Sequence, residues 1–184
     1  ISQMAFEAMV PYLTEYYGNA SALYRIGRDS HKAVEDARKQ IASLIHAGPM
    51  DIYFTSCGTE ADNWAVKGVA HKMKKDGKKH LTTVIEHHAI LHAMHALEED
   101  GFEVTYLPAD SGGRVRPESV RDALRPDTAM VSVMYANNEL GTIQPVEEIG
   151  ALCRKAGVIF HTDAVQAAGT LPIDVVAQNI DMMS

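Results

Sequence analysis

Four short stretches of this sequence gather residues that could do chemistry. They are Ser56-Cys57-Gly58-Thr59-Glu60, Glu86-His87-His88, Asn137-Asn138-Glu139 and Thr162-Asp163-Ala164-Val165-Gln166. The first stands where a helix begins. The leading N–H groups of a helix lack partners and carry partial positive charge, so such a start binds phosphate. Gly58 lets the backbone approach an anion and the Thr59 hydroxyl adds a donor; the plain alternative is an ordinary N-cap, with Glu60 favouring the helix dipole. No Gly-Lys-Ser/Thr follows, so this is not a Walker loop. Asp163, at a strand tip, can pair with a protonated ring nitrogen and hold that ring as an electron sink, or it can merely form a turn. His87, at another strand tip, can stack on a flat ligand or move a proton. Asn138 can donate to a ligand oxygen, or serve a turn ahead of Gly141.

Other reactive residues read more plainly. His88, His92 and His95, with Glu99, follow helical spacing that suits a transition metal. They also lie opposite the apolar stripe Ile90, Ala93, Met94 and Leu97, which is what any surface helix shows, so no metal site is assigned. Cys57 sits at a helix start, where a thiol becomes more reactive; it is read as a small residue filling a tight turn. Cys153 shares an apolar helix face with Val146, Ile149 and Ala156 and is read as core.

The elements that position these residues alternate. β-rich runs over 52–55, 80–85, 102–107, 129–135 and 158–162 are separated by helical patterns over 59–75, 89–99, 117–124 and 145–157. Repeated strand–helix order implies βαβ units and a mainly parallel sheet flanked by helices, an α/β fold. Ligands of such sheets bind at the carboxyl ends of strands, where the four stretches above lie. Residues 1–50 differ: helices over 2–17 and 29–45 enclose a loop over 18–28. The expected division is therefore an N-terminal helical segment, 1–50, and a large domain, 51–184.

Composition removes several function classes. Seventeen Lys and Arg against 24 Asp and Glu give a net charge of −7, which argues against a broad nucleic-acid or anionic-membrane footprint. No uncharged apolar run approaches the ~20 residues needed to span a bilayer, and no signal peptide opens the chain. Two cysteines allow at most one bridge, so a reduced, cytoplasmic setting is expected. Ile1 lies beside a helical pattern and Ser184 ends inside a strand-like run, so the chain is read as a piece of a larger protein.

Taken together in order and spacing, Phe54-Thr55-Ser56-Cys57-Gly58-Thr59-Glu60-Ala61-Asp62-Asn63, Glu86-His87-His88-Ala89, Asn137-Asn138-Glu139-Leu140-Gly141 and His161-Thr162-Asp163-Ala164-Val165-Gln166 resemble the cysteine desulfurases of the NifS/IscS type. These are pyridoxal-phosphate enzymes of fold type I in the class-V aminotransferase family. Asn19-Ala20-Ser21 with Gly27-Arg28, Leu171-Pro172-Ile173-Asp174 and Asp181-Met182-Met183-Ser184 extend the resemblance over nearly the whole chain. It implies that Gly58 and Thr59 hold the cofactor phosphate and that His87 stacks on the ring and assists proton transfer. It implies too that Asp163 pairs with the ring nitrogen, Gln166 with the ring 3-oxygen, and that Asn138 contacts cofactor or substrate. The implied reaction takes L-cysteine to L-alanine, with sulfur leaving as an enzyme persulfide for iron–sulfur cluster or thio-cofactor synthesis. A homodimer and a sulfur-acceptor or scaffold protein are the implied partners, without nucleic acid or membrane. Selenocysteine lyase shares these motifs, and a non-catalytic assembly subunit is the alternative of another class. The chain departs from the pattern in lacking the Schiff-base lysine and the persulfide cysteine, which the resemblance places beyond Ser184. Ala20 replaces a proline, Cys57 a glycine, and Tyr24 a frequent histidine.

Overall fold

The computed structural model describes residues 1–73, 79–83 and 85–184. They form two compact units, Ile1–Tyr53 and Phe54–Ser184.

In the first unit, α1 (Gln3–Thr14) starts because the Ser2 hydroxyl accepts the Ala5 N–H at 3.2 Å. α2 (Arg25–Leu44) begins four residues ahead of the expected position 29. Its first turn holds Gly27, and a Cβ there would run into the carbonyls of Ala22 and Asn19, so only glycine lets that turn fold against the preceding loop. A single 3-10 turn, Pro49–Asp51, follows. The β-rich run expected over 52–55 is not a strand. Ile52 is extended, but its carbonyl accepts from the Arg38 guanidinium, and among the described residues no strand pairs with it.

The second unit contains α3 (Gly58–Met73), β1 (Lys79–Thr83), α4 (His88–Glu99), β2 (Glu103–Leu107), α5 (Pro117–Ala123), β3 (Thr128–Ser132), α6 (Val146–Ala156), β4 (Ile159–Thr162) and β5 (Met182–Met183). The expected ends of the helix at 74–75 and part of the run 80–85, at residue 84, lie outside the described residues. The strands lie in the order β2-β1-β3-β4-β5, and every adjacent pair is parallel. The fold is thus the expected α/β arrangement. All five residues of β3 are buried, as a central strand of near-continuous apolar character requires. α3 and α4 pack together on β3 through Val66, Val69, Ile90, Met94 and Met130. α6 closes at Gly157, whose φ of 67° is the left-handed cap that glycine adopts without strain. From β1 the chain moves to β2 on one side, then returns to β3 on the other. The strand order therefore switches between β1 and β3, and a crevice opens at their carboxyl ends.

Candidate active site

The hollow at those strand ends is lined by Gly58, Thr59, His87, Asn138, Asp163 and Gln166, all six residues singled out from the sequence. Asp62, Met134 and Val165 complete its wall. A second hollow, between α5 and α6, is lined by Glu118, Arg121 and Glu148 and lies away from the strand ends.

Each wall has a local cause. At the start of α3, the Ser56 N–H and hydroxyl both donate to the Glu60 carboxylate, at 2.6 and 2.7 Å, which folds the loop onto the helix. Those two donors hold Glu60 below the usual carboxylate range. The backbone N–H of Glu60, the Ser56 hydroxyl 3.8 Å from Sγ and the N–H of Thr59 favour the thiolate of Cys57 and lower its pKa below that of an ordinary cysteine. Cys57 is exposed in the turn that leads into α3. A Cβ on Gly58 would lie 2.9 Å from Val165 Cγ2, so a larger residue would close the space between α3 and the segment after β4.

His87 is the N-cap of α4, and its Nδ1 accepts the Ala89 N–H at 3.2 Å. In the neutral ring the proton then sits on Nε2. Glu86 is buried, and its Oε1 accepts the Met134 N–H at 2.8 Å, tying the residues ahead of α4 to the end of β3. After β3 the buried Asn137 makes the turn, its Oδ1 accepting from Glu139 and Leu140, which leaves Asn138 exposed at the hollow. Asp163 is 5% exposed; its Oδ1 accepts the Val165 N–H at 3.0 Å and its carbonyl accepts from Tyr135. Gln166 is exposed one residue beyond Val165.

Beneath these lies a polar floor that the sequence reading left without roles. His161 is completely buried between the Ser132 hydroxyl, 2.9 Å from Nδ1, and the Ser184 hydroxyl, 3.1 Å from Nε2. Burial pushes its pKa down to about 4, so the ring is neutral. Asp62 is 1% exposed, and burial first, then the charge of Asp163, push it up to about 7, against a pull from Ser184. The sequence showed Asp62 in helical register with apolar residues but not its burial. The buried residues of α3 are Asp62, Ala65, Val66, Val69 and Ala70, so a carboxylate heads the apolar stripe.

The remaining reactive residues stand apart. His88, His92 and His95 are exposed on α4, with His95 3.6 Å from Glu98 and 3.8 Å from Glu99, as a solvated face requires. Cys153 is fully buried, and desolvation raises its thiol to about 12, which fits the core reading. Its supposed companion Ala156 is exposed in the last turn of α6, while Gly150 takes the buried place because a side chain there would collide with the Gln178 carbonyl. No described helix is long and apolar enough to cross a membrane.

The sequence profile of class-V aminotransferases matches residues 1–184. A cysteine desulfurase IscS of Methanosarcina thermophila is 53% identical over 178 residues, which are 97% of this chain and 44% of that protein. A putative cysteine desulfurase IscS 1 of Bacillus subtilis is 50% identical, over all of this chain and 48% of its own length. The chain therefore spans about half the length of the curated relatives it matches. Among solved structures, SspA in complex with cysteine superposes with a TM-score of 0.96 at 38% identity, covering 100% of this chain and 53% of that one. A NifS-like protein gives 0.96 at 37%, covering 100% and 52%.

Proposed function

The chain belongs to the class-V aminotransferase family, and from that premise we propose that it is part of a pyridoxal-phosphate-dependent cysteine desulfurase. Such an enzyme removes sulfur from L-cysteine, leaves L-alanine and carries the sulfur as a persulfide. One observation carries the reading: a helix start, a buried carboxylate and a histidine with its Nε2 not spent on capping converge on one hollow.

The residues present fit the cofactor. The missing Cβ of Gly58 keeps open the approach to the start of α3, where a phosphate finds partial positive charge. Asp163 provides a buried anion for a ring-nitrogen proton, and no lysine or arginine competes for it among the residues lining the hollow. When bound, pyridoxal phosphate would supply an electron sink for the carbon skeleton of the substrate. Gly58 and Thr59 would hold its phosphate, Asp163 would keep the ring nitrogen protonated, and Gln166 and Asn138 would contact the ring 3-oxygen and the substrate beside it. His87 would stack on the ring and carry a proton on Nε2.

On this reading residues 51–184 are the incomplete cofactor-binding large domain, and 1–50 belong to a small-domain or linker portion. The lysine that anchors the cofactor and the cysteine that takes the sulfur lie in other sequence. The whole protein would act as a cytoplasmic homodimer and hand sulfur to an acceptor or scaffold protein. The test uses the full-length protein, with and without Asp163→Ala. The wild type should be yellow and release sulfide and alanine from L-cysteine. The variant should lose colour and about 10²–10³-fold of turnover, the usual loss when a charge-stabilising group is removed. Cofactor affinity and turnover like the wild type in Asp163→Ala would overturn the assignment.

A further inference from the structure

The floor of the hollow holds a second carboxyl for which the cofactor reading has no task. Asp62 Oδ1 is buried without a hydrogen-bond partner. The groups facing Asp62 come from three directions. His161 Nε2 of β4 lies 3.9 Å from Asp62 Oδ1, with the Ser184 hydroxyl beside it. Asp163 follows β4, and His87 precedes α4; one atom each of Asp62, His87 and Asp163 lies within 4.8 Å of the other two. Neutral His161 offers no countercharge. Burial and the neighbouring carboxyl both disfavour ionising Asp62, so below about pH 7 it keeps its proton. Asp62 is the more deeply buried, and it is the one pushed up to about 7.

We infer that Asp62 is a positioning residue that couples cofactor loading to proton release: when a protonated ring nitrogen pairs with Asp163, the O–H bond of Asp62 breaks and its proton passes to solvent. The inference rests on the cofactor reading of the hollow. Its direction follows from burial. Asp62 is already 1% exposed, so an arriving ring displaces little water in contact with it, and the larger change is the charge beside it. A cation within ~4–6 Å favours the carboxylate form. The loaded site then has two carboxylates around one ring cation, which fixes the proton on the ring nitrogen.

The experiment is calorimetric titration of the full-length apoprotein with pyridoxamine 5′-phosphate. This probe lacks the aldehyde and cannot bond to a lysine. Titrations in two buffers of different ionisation enthalpy at about pH 6.5 count the protons released. The wild type should release about half to one proton more than Asp62→Asn, whose side chain mimics the protonated acid. Inorganic phosphate, as a control, should give the two proteins equal counts. Equal counts with pyridoxamine phosphate still bound would overturn the inference and leave the cofactor reading standing. Absence of binding to the wild type would overturn the cofactor reading itself.

Thermal unfolding of the apoproteins supplies a second measurement. The folded chain holds the Asp62 proton more tightly than the unfolded chain, so wild-type stability falls as pH rises from the ordinary aspartate value through about 7. Asp62→Asn lacks that fall and should unfold at the higher temperature above about pH 7. A variant less stable than the wild type at every pH would show that the carboxylate is needed for folding, and would overturn the proton-holding role. Should Asp62→Asn not fold, the wild type decides: its excess release over phosphate must vanish above about pH 8.5, and release that persists there overturns the inference.

Discussion

Two helices of 12 residues, α1 and α4, make opposite use of their apolar side chains. Each is started by a side-chain cap, Ser2 in one and His87 in the other. Yet α1 buries nothing, with Met4 80%, Met9 44% and Leu13 69% exposed, while in α4 both Ile90 and Met94 are 0% exposed. Forming a helix is local and needs a cap. Burying one needs more than an apolar stripe at i, i+3, i+4 and i+7: Phe6, Met9, Val10 and Leu13 of α1 have that spacing and stay outside the core, whereas Ile90, Ala93, Met94 and Leu97 of α4 pack on Val66, Val69 and Met130. The difference also marks where chemistry can be held steady. The cap of α4 is a wall of the hollow, and it is fixed because the helix behind it is packed.

Substitutions in the two helices can break this contrast. The largest effect should be at His87. Replacement by alanine removes a positioned proton carrier, and turnover of the full-length protein should fall ~10²–10⁴-fold. His87→Asn separates the two tasks of the residue. Asparagine is a good N-cap, so the unfolding midpoint should stay near wild type while turnover falls as in His87→Ala. Equal activity of His87→Asn and wild type would reduce His87 to a cap. Next comes Met94→Ala, which leaves a cavity against Val66, Val69 and Met130 and should cost about 2–5 kcal/mol in denaturant unfolding. The smallest is Met9→Ala on α1, expected within about 0.5 kcal/mol. If Met9→Ala cost as much as Met94→Ala, α1 would be packed in solution and the contrast would fail.

The sequence made α4, α6 and β3 legible because their residues are arranged by what each face meets: period 3.6 against a sheet, near-continuous apolar character in its middle. The hollow was legible for the same reason, since polar residues at the ends of buried strands have little else to do. What escaped had non-local causes. The run 52–55 has strand composition, but a strand exists only where another strand pairs with it. The early start of α2 depends on Gly27 fitting beneath a loop folded back from Asn19. Asp62 was passed over because a helical carboxylate is usually solvated, and its burial is set by β4 and Ser184, which lie about a hundred residues further on.

The wholly parallel pairing of the sheet has a consequence for the order in which the chain can assemble. Lys79 pairs with both Glu103 and Thr128, Met130 with Ile159, and His161 with Met182. No two neighbouring strands can zip up from a tight turn, because every parallel pairing must first close a crossover. Loop-closure entropy is therefore lost before any ladder bond repays it, and non-local pairing of this kind folds slowly. The contacts available earliest are those of α3 with α4, which are consecutive helices separated in sequence by β1 and share an apolar cluster. In a nascent chain these two helices would form a platform on which β3 later docks, and the cleft between their starting turns would exist in outline before the sheet beneath it is complete.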